Sequence, residues 1–157
     1  MFPKKHIICG FLFSLILFIL FPSISILGAL IIFLSSIAID IDHYIYFILL
    51  KKSISLKKAY DWFVIDRKFW LELSPQKREK FRKKILFLHG VEFLILLGVL
   101  AFLSSFFLYI FIGVLFHLIL DLIDLYLIGV PLKYKISQTY VLLHNLGKKE
   151  YIAGKSK

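Results

Sequence analysis

From Ile7 to Ile39 the chain is hydrophobic, without one charged residue. A run of about 18 or more such residues reads as membrane-spanning, and as a single helix this one would measure about 50 Å against a hydrocarbon core of about 30 Å. It must therefore turn once. Phe21-Pro22-Ser23-Ile24-Ser25 is the turn signal, because proline lacks the N–H that a helix interior needs and serine caps a following helix start. The pattern predicts helix one over about 3–20 and helix two over about 23–50. Two further apolar stretches, 85–103 and 106–130, predict helices three and four, with Ser104-Ser105 as the turn between them. That turn signal is weaker, and one longer helix over both stretches is its alternative.

Between the two apolar halves, residues 51–84 are the one long polar stretch, where Lys and Arg alternate with Tyr60, Trp62, Phe63, Phe69, Trp70 and Phe81. Basic side chains reaching toward anionic head groups, with aromatic rings at the boundary, make an amphipathic segment suited to the membrane interface. Ser74-Pro75 is read as the start of the helix that leads into span three. Residues 131–157 form a basic tail. The fold class expected is all-α: a polytopic membrane protein, a bundle of four transmembrane helices in residues 1–130, with the basic segment between helices two and three.

Composition agrees, with 60% hydrophobic residues and a mean hydropathy of +0.86, above the roughly 45–50% apolar content of soluble domains. Charge adds an orientation, since Lys and Arg collect in cytoplasmic loops. Lys4 and Lys5 precede helix one, twelve basic residues lie between Lys51 and Lys84, and six follow helix four. The opposite loops carry no charge. Four spans with both termini cytoplasmic put every basic residue on one side, in the cell membrane. This also accounts for the net charge of +10 without nucleic acid as a partner; anionic lipid head groups are the partners expected. The N-terminal stretch lacks a small-residue cleavage pattern after Leu20 and is read as a span, not a signal peptide. Cys9, the single cysteine, has no disulfide partner. Gly98 and Gly113 are candidates for close helix approach.

Candidate chemistry lies in the residues that do not belong in hydrocarbon. Asp40, Asp42, His43, His89, Glu92, His117, Asp121 and Asp124 stand within the apolar segments, and His6 at the start of helix one, with no Lys or Arg among them. An intramembrane carboxylate costs at least about 2.5–3.5 kcal/mol and usually faces a partner; the partner expected here is a metal cation. Asp40/His43 and His89/Glu92 are three apart and His117/Asp121 four apart, so each pair shares one helix face. Helical di-metal bundles use the same pairing of acid and histidine. The depth of each residue along its helix places all four segments' polar residues in one slab near the cytoplasmic side. Asp40 and Asp42 point about 200° apart on a regular helix, which makes one of them a supporting group or requires a distorted turn. Asp124 is read as orienting a neighbour and His144 as an interfacial residue.

The set His6, Asp40-Ile41-Asp42-His43, His89 and His117-x-x-x-Asp121 resembles the membrane-bound metal-dependent hydrolases of bacteria and archaea, over most of the chain. Asp-x-Asp-His is the most specific element. The chain departs from many members at Ile39, where they have Pro, and around His89, where they have an Arg and a Thr-His-Ser and this chain reads Leu88-His89-Gly90-Val91-Glu92. The family's distant likeness to all-helical zinc phospholipases and nucleases implies hydrolysis of a phosphoester.

The expected function is thus a membrane-embedded hydrolase of a phosphoester or lipid-like substrate at the cytoplasmic leaflet. His6, Asp40, Asp42, His43, His89, Glu92, His117 and Asp121 are the candidate ligands of a divalent metal, zinc before manganese or iron, and Glu92 or Asp42 is the candidate general base. No Gly-rich phosphate loop or Ser-His-Asp triad offers another chemistry. A metal-stapled structural protein is the first alternative. A metal or proton transporter is the second, and it would need polar residues through the outer half, where the helices are apolar.

Overall fold

The computed structural model describes residues 3–148 and is all-helical. Its elements are α1 (Pro3–Leu20), α2 (Ile26–Ala38), α3 (Ile41–Lys51), α4 (Leu56–Glu72), α5 (Pro75–Arg78), a 3-10 turn (Phe87–His89), α6 (Val91–Ala101), α7 (Ser105–Leu127), α8 (Lys133–Ile136) and α9 (Gln138–His144). Among the described residues, three helical segments are long and apolar enough to cross a membrane: α1, the nearly continuous Ile26–Lys51 pair α2–α3, and α7.

Serines end the loops as the sequence leads one to expect. The Ser25 hydroxyl accepts from the Gly28 N–H to cap α2, and that of Ser104 accepts from the Phe106 N–H to start α7. Ser74 with Pro75 begins only the one-turn α5, so no helix leads from there into span three.

The largest difference lies in that third stretch. Only α6, about 16 Å long, is helical in the manner of a span, and the chain before it is extended or 3-10. The backbone amides there have other partners: the Leu86 N–H donates to the Gln138 side-chain carbonyl at 2.9 Å and the Leu88 N–H to the Asp42 carboxylate at 3.1 Å. Irregular backbone at this depth is tolerated where protein satisfies it.

Helices α1, α2 and α7 form the central group, with α6 packed on α7. The buried core beside the site is Ile39, Leu97, Val114 and Leu118, while the outer faces of α1 and α2 expose Ile8, Phe11, Ile19, Ile26 and Leu30, as lipid contact requires. A glycine sets the closest approach. A Cβ on Gly113 would collide with the Ile32 carbonyl and the Ser35 hydroxyl and come within 3.1 Å of the Ser36 amide. Gly98 has no such role, since the nearest atom to its position is a Phe111 ring carbon at 3.7 Å.

Candidate metal centre

The α2–α3 junction is the key local feature. Between Ile37 and His43 the hydrogen bonds tighten to three-residue steps, Asp40 N–H to Ile37 and His43 N–H to Asp40, both at 3.1 Å. Overwinding to about three residues per turn narrows the angle between the two aspartates from about 160° to about 120°. Both carboxylates now face one imidazole from opposite sides: Asp42 Oδ2 lies 2.9 Å from His89 Nδ1, and Asp40 Oδ1 lies 3.5 Å from His89 Nε2.

Six of the eight expected ligands converge. His6, His89 and His117 are fully buried and Asp121 nearly so. Asp40 Oδ1 faces three rings, with His117 Nε2 at 3.6 Å and His43 Nε2 at 3.8 Å besides His89. Asp121 Oδ2 is 3.5 Å from His117 Nε2, and its Oδ1 is 3.2 Å from His6 Nε2. The His6 ring stacks on that of His117 at 3.9 Å. Three overlapping triads, His6/Asp40/His117, Asp40/His43/His89 and His89/His117/Asp121, each bring their ligand atoms within 4.8 Å of one another, as a metal ion requires.

The donor chemistry tests whether a cation fits. The His117 Nδ1–H donates to the Ser36 carbonyl at 2.7 Å and the His89 Nδ1–H to the Asp42 carboxylate. Each acceptor fixes its ring's tautomer, the role that partners of metal-bound histidine play. Neutral rings so fixed turn two lone pairs toward each other, and the Nε2 atoms are 3.2 Å apart. A metal ion between them would use both lone pairs and could also engage Asp40 and Asp121. His6 Nδ1 and Asp40 Oδ2 are buried without a hydrogen-bond partner, which is costly unless they serve a ligand. The residues present fit a divalent cation with nitrogen and oxygen ligands.

Two expected site residues stand elsewhere. Asp42 does not join the triads; it holds His89. Glu92 is separate, because Gly90 is extended and α6 begins only at Val91, so the helical spacing from His89 to Glu92 never forms. Its carboxylate accepts from the Ser137 hydroxyl at 2.6 Å and the Gln138 and Thr139 amides at 3.1 and 3.0 Å, tying α6 to the start of α9.

The expectation that no basic residue accompanies the intramembrane acids is corrected. Lys135 on α8 reaches Asp121 Oδ2 at 2.6 Å, and Arg67 on α4 bonds Asp124 Oδ2 at 2.8 Å. The readable signal for Lys135 was Gly129-Val130-Pro131. A left-handed glycine (φ 66°) closely followed by proline ends α7 and turns the chain back. Arg67 has no comparable signal. Ser36, whose carbonyl sets the His117 tautomer, was also unreadable.

A cavity of about 1380 Å³ opens from Asp40, His43 and Asp121 toward α4 and α8, larger than the roughly 300–1,000 Å³ of common ligand pockets. Its walls are mainly apolar, including Leu49, Leu56, Trp62 and Phe63, with Arg67, Lys84 and Lys135 among them. Lys84 pairs with Asp66 over the Trp62 and Phe63 rings. Burial pulls its ammonium below the ordinary lysine range against the attraction of Asp66. Burial likewise lowers Lys83 to about 8, with Glu79 opposing.

One prediction follows from the helix contact under His117. Gly113→Ala should lift α7 from α2, lengthen the His117 bond to Ser36 and weaken metal binding, at about 1–3 kcal/mol of stability. Gly98→Ala is the control and should leave both unchanged. Metal titration and thermal unfolding in detergent read the difference.

Compared with protein-family models, with curated proteins and with solved structures, the chain gives no match.

Proposed function

We propose that the protein is a membrane-embedded, metal-dependent hydrolase acting on a phosphoester of a lipid-like substrate. The observation that carries this reading is the pair of His89 and His117 Nε2 atoms facing each other beside Asp40 and Asp121, at the end of a large, mostly apolar cavity. The resemblance of the Asp40–His43 and His117–Asp121 motifs to membrane-bound metal-dependent hydrolases supports the same conclusion.

His6, Asp40, His89, His117 and Asp121 would hold the metal, leaving His43 free beside them, with zinc, manganese or iron all suited to mixed imidazole and carboxylate ligation. When bound, the ion supplies Lewis acidity and makes water a stronger acid. The chain's own groups do the rest. Asp42 and the Ser36 carbonyl orient His89 and His117. His43, whose side chain is 30% exposed, is the imidazole at the cavity wall and the one placed to take or return a proton at Nε2. That role passes to it from Glu92, whose carboxylate is tied to the start of α9, and from Asp42, whose Oδ2 holds His89 Nδ1. The mainly apolar walls would accept an apolar chain.

The proposed topology has four crossings with both termini cytoplasmic, the third made by α6 and the non-helical residues before it. Reporter fusions at Ser23 and Ser105 should appear outside, and those at Lys57 and Lys157 inside. An external Lys57 would overturn the leaflet assignment.

The deciding experiment is turnover of phosphomonoester, phosphodiester and carboxylic ester panels by the purified protein. Activity should stop in chelator and return with a divalent ion. Stoichiometric metal without turnover above a His117→Ala background would leave the cluster as a structural staple.

A further inference from the structure

We propose that Lys135 is the anion-binding residue of this centre and selects a negatively charged phosphoester over a neutral ester; the inference rests on the metal reading of the cluster. Lys135 lies beyond the last long helix, on α8, yet its side chain is only 12% exposed and its ammonium is 2.6 Å from Asp121 Oδ2. That same oxygen is 3.5 Å from His117 Nε2 and 3.8 Å from His89 Nε2. A single carboxylate oxygen therefore separates the ammonium from the point on which the imidazoles converge.

A divalent ion and an ammonium so close repel strongly away from bulk water. Asp121 and Asp40, the two acids facing the imidazole Nε2 atoms, carry two negative charges against the three positive charges of a divalent ion and an ammonium, so one is left over. An anion that spans the two cations removes the conflict. Lys135 has three N–H donors, of which Asp121 needs one, and it lines the cavity beside Asp40 and Asp121. A phosphoester has several charged oxygens, so one can face the metal while another accepts from Lys135. A neutral carboxylic ester offers a carbonyl oxygen and no charge. A lysine is a point charge with rotatable donors and does not demand a planar partner.

If Lys135 only neutralised Asp121, its removal would not change how metal and anion affect each other. The full chain in detergent is titrated with manganese, alone and with phenylphosphonate, a phosphoester mimic that resists hydrolysis, and with phenyl acetate as the neutral counterpart. In the wild type, phenylphosphonate should tighten manganese binding about tenfold or more, with the reciprocal effect of metal on phosphonate, and phenyl acetate should not. Lys135→Gln should bind manganese alone at least as tightly as wild type, yet lose phosphonate affinity by about tenfold to a hundredfold. Lys135→Arg should retain most of it. Wild-type phosphonate coupling in Lys135→Gln would overturn the proposal and leave the metal reading intact. A wild-type protein that binds manganese but shows no phosphonate coupling would overturn it without recourse to a variant. Failure of the wild type to bind manganese, zinc or iron would overturn both.

Discussion

His117→Ala and His89→Ala should each strip the metal and reduce turnover to background, while the protein still inserts into the membrane. His117 belongs to two of the three ligand triads and His89 to two, so either change breaks two triads at once and leaves a single one intact. A graded series makes the result specific. Asp42→Asn keeps every triad but exchanges the anionic acceptor that orients His89, and loss of such a partner costs about 10–100-fold in metal affinity or activity. His144→Ala is the control. Its ring lies 3.9 Å from Glu79 and outside every triad, so metal content and turnover should stay at wild-type values. Metal analysis of the four variants, alongside turnover, reads the order His117→Ala and His89→Ala most severe, Asp42→Asn intermediate, His144→Ala silent. Retention of wild-type metal by both histidine variants would remove the cluster as the binding site.

The convergence was legible because it needed only local rules. Helical spacing placed His117 with Asp121 and Asp40 with His43, and counting residues from the helix ends placed them at one depth. Serine caps and the Pro22 turn gave the loops. The same rules failed where the chain leaves a regular helix. Spacing paired His89 with Glu92, but Gly90 is extended, and Gln138 and Asp42 take amides that a helix would have used itself. Hydropathy read residues 85–103 as one span for the same reason, since apolarity reports burial and not winding. The pairing of Lys135 and Arg67 with their acids was unreadable for a different cause, since Gly129-Val130-Pro131 signals only the turn before Lys135 and nothing signals Arg67. A polar segment carries no period that tells which of its cations folds back onto a distant acid, and positive-inside counting treats every lysine alike.

Those two cations change which acid reports on the metal. Asp121→Asn should destabilise the protein with and without metal, because it leaves Lys135 buried beside a neutral amide. Breaking a buried pair by removing one partner costs about 3–5 kcal/mol. Asp40 is different. Among the described residues its partners are the imidazoles of His43, His89 and His117, with no lysine or arginine, and its Oδ2 makes no hydrogen bond. Its carboxylate is therefore costly to desolvate without a metal ion and well used with one, since binding to the folded state contributes about 4 kcal/mol at a thousandfold excess over Kd. Asp40→Asn should abolish most of the metal-induced rise in the unfolding midpoint while leaving the metal-free midpoint unchanged or higher. Asp121→Asn should lower the metal-free midpoint by several degrees. Thermal unfolding in detergent of the two variants and the wild type, each with and without added zinc or manganese, separates the two acids. An Asp40→Asn protein whose metal-free midpoint falls as far as that of Asp121→Asn would show Asp40 to be an ordinary structural acid, and a wild-type midpoint indifferent to metal would remove the cation site itself.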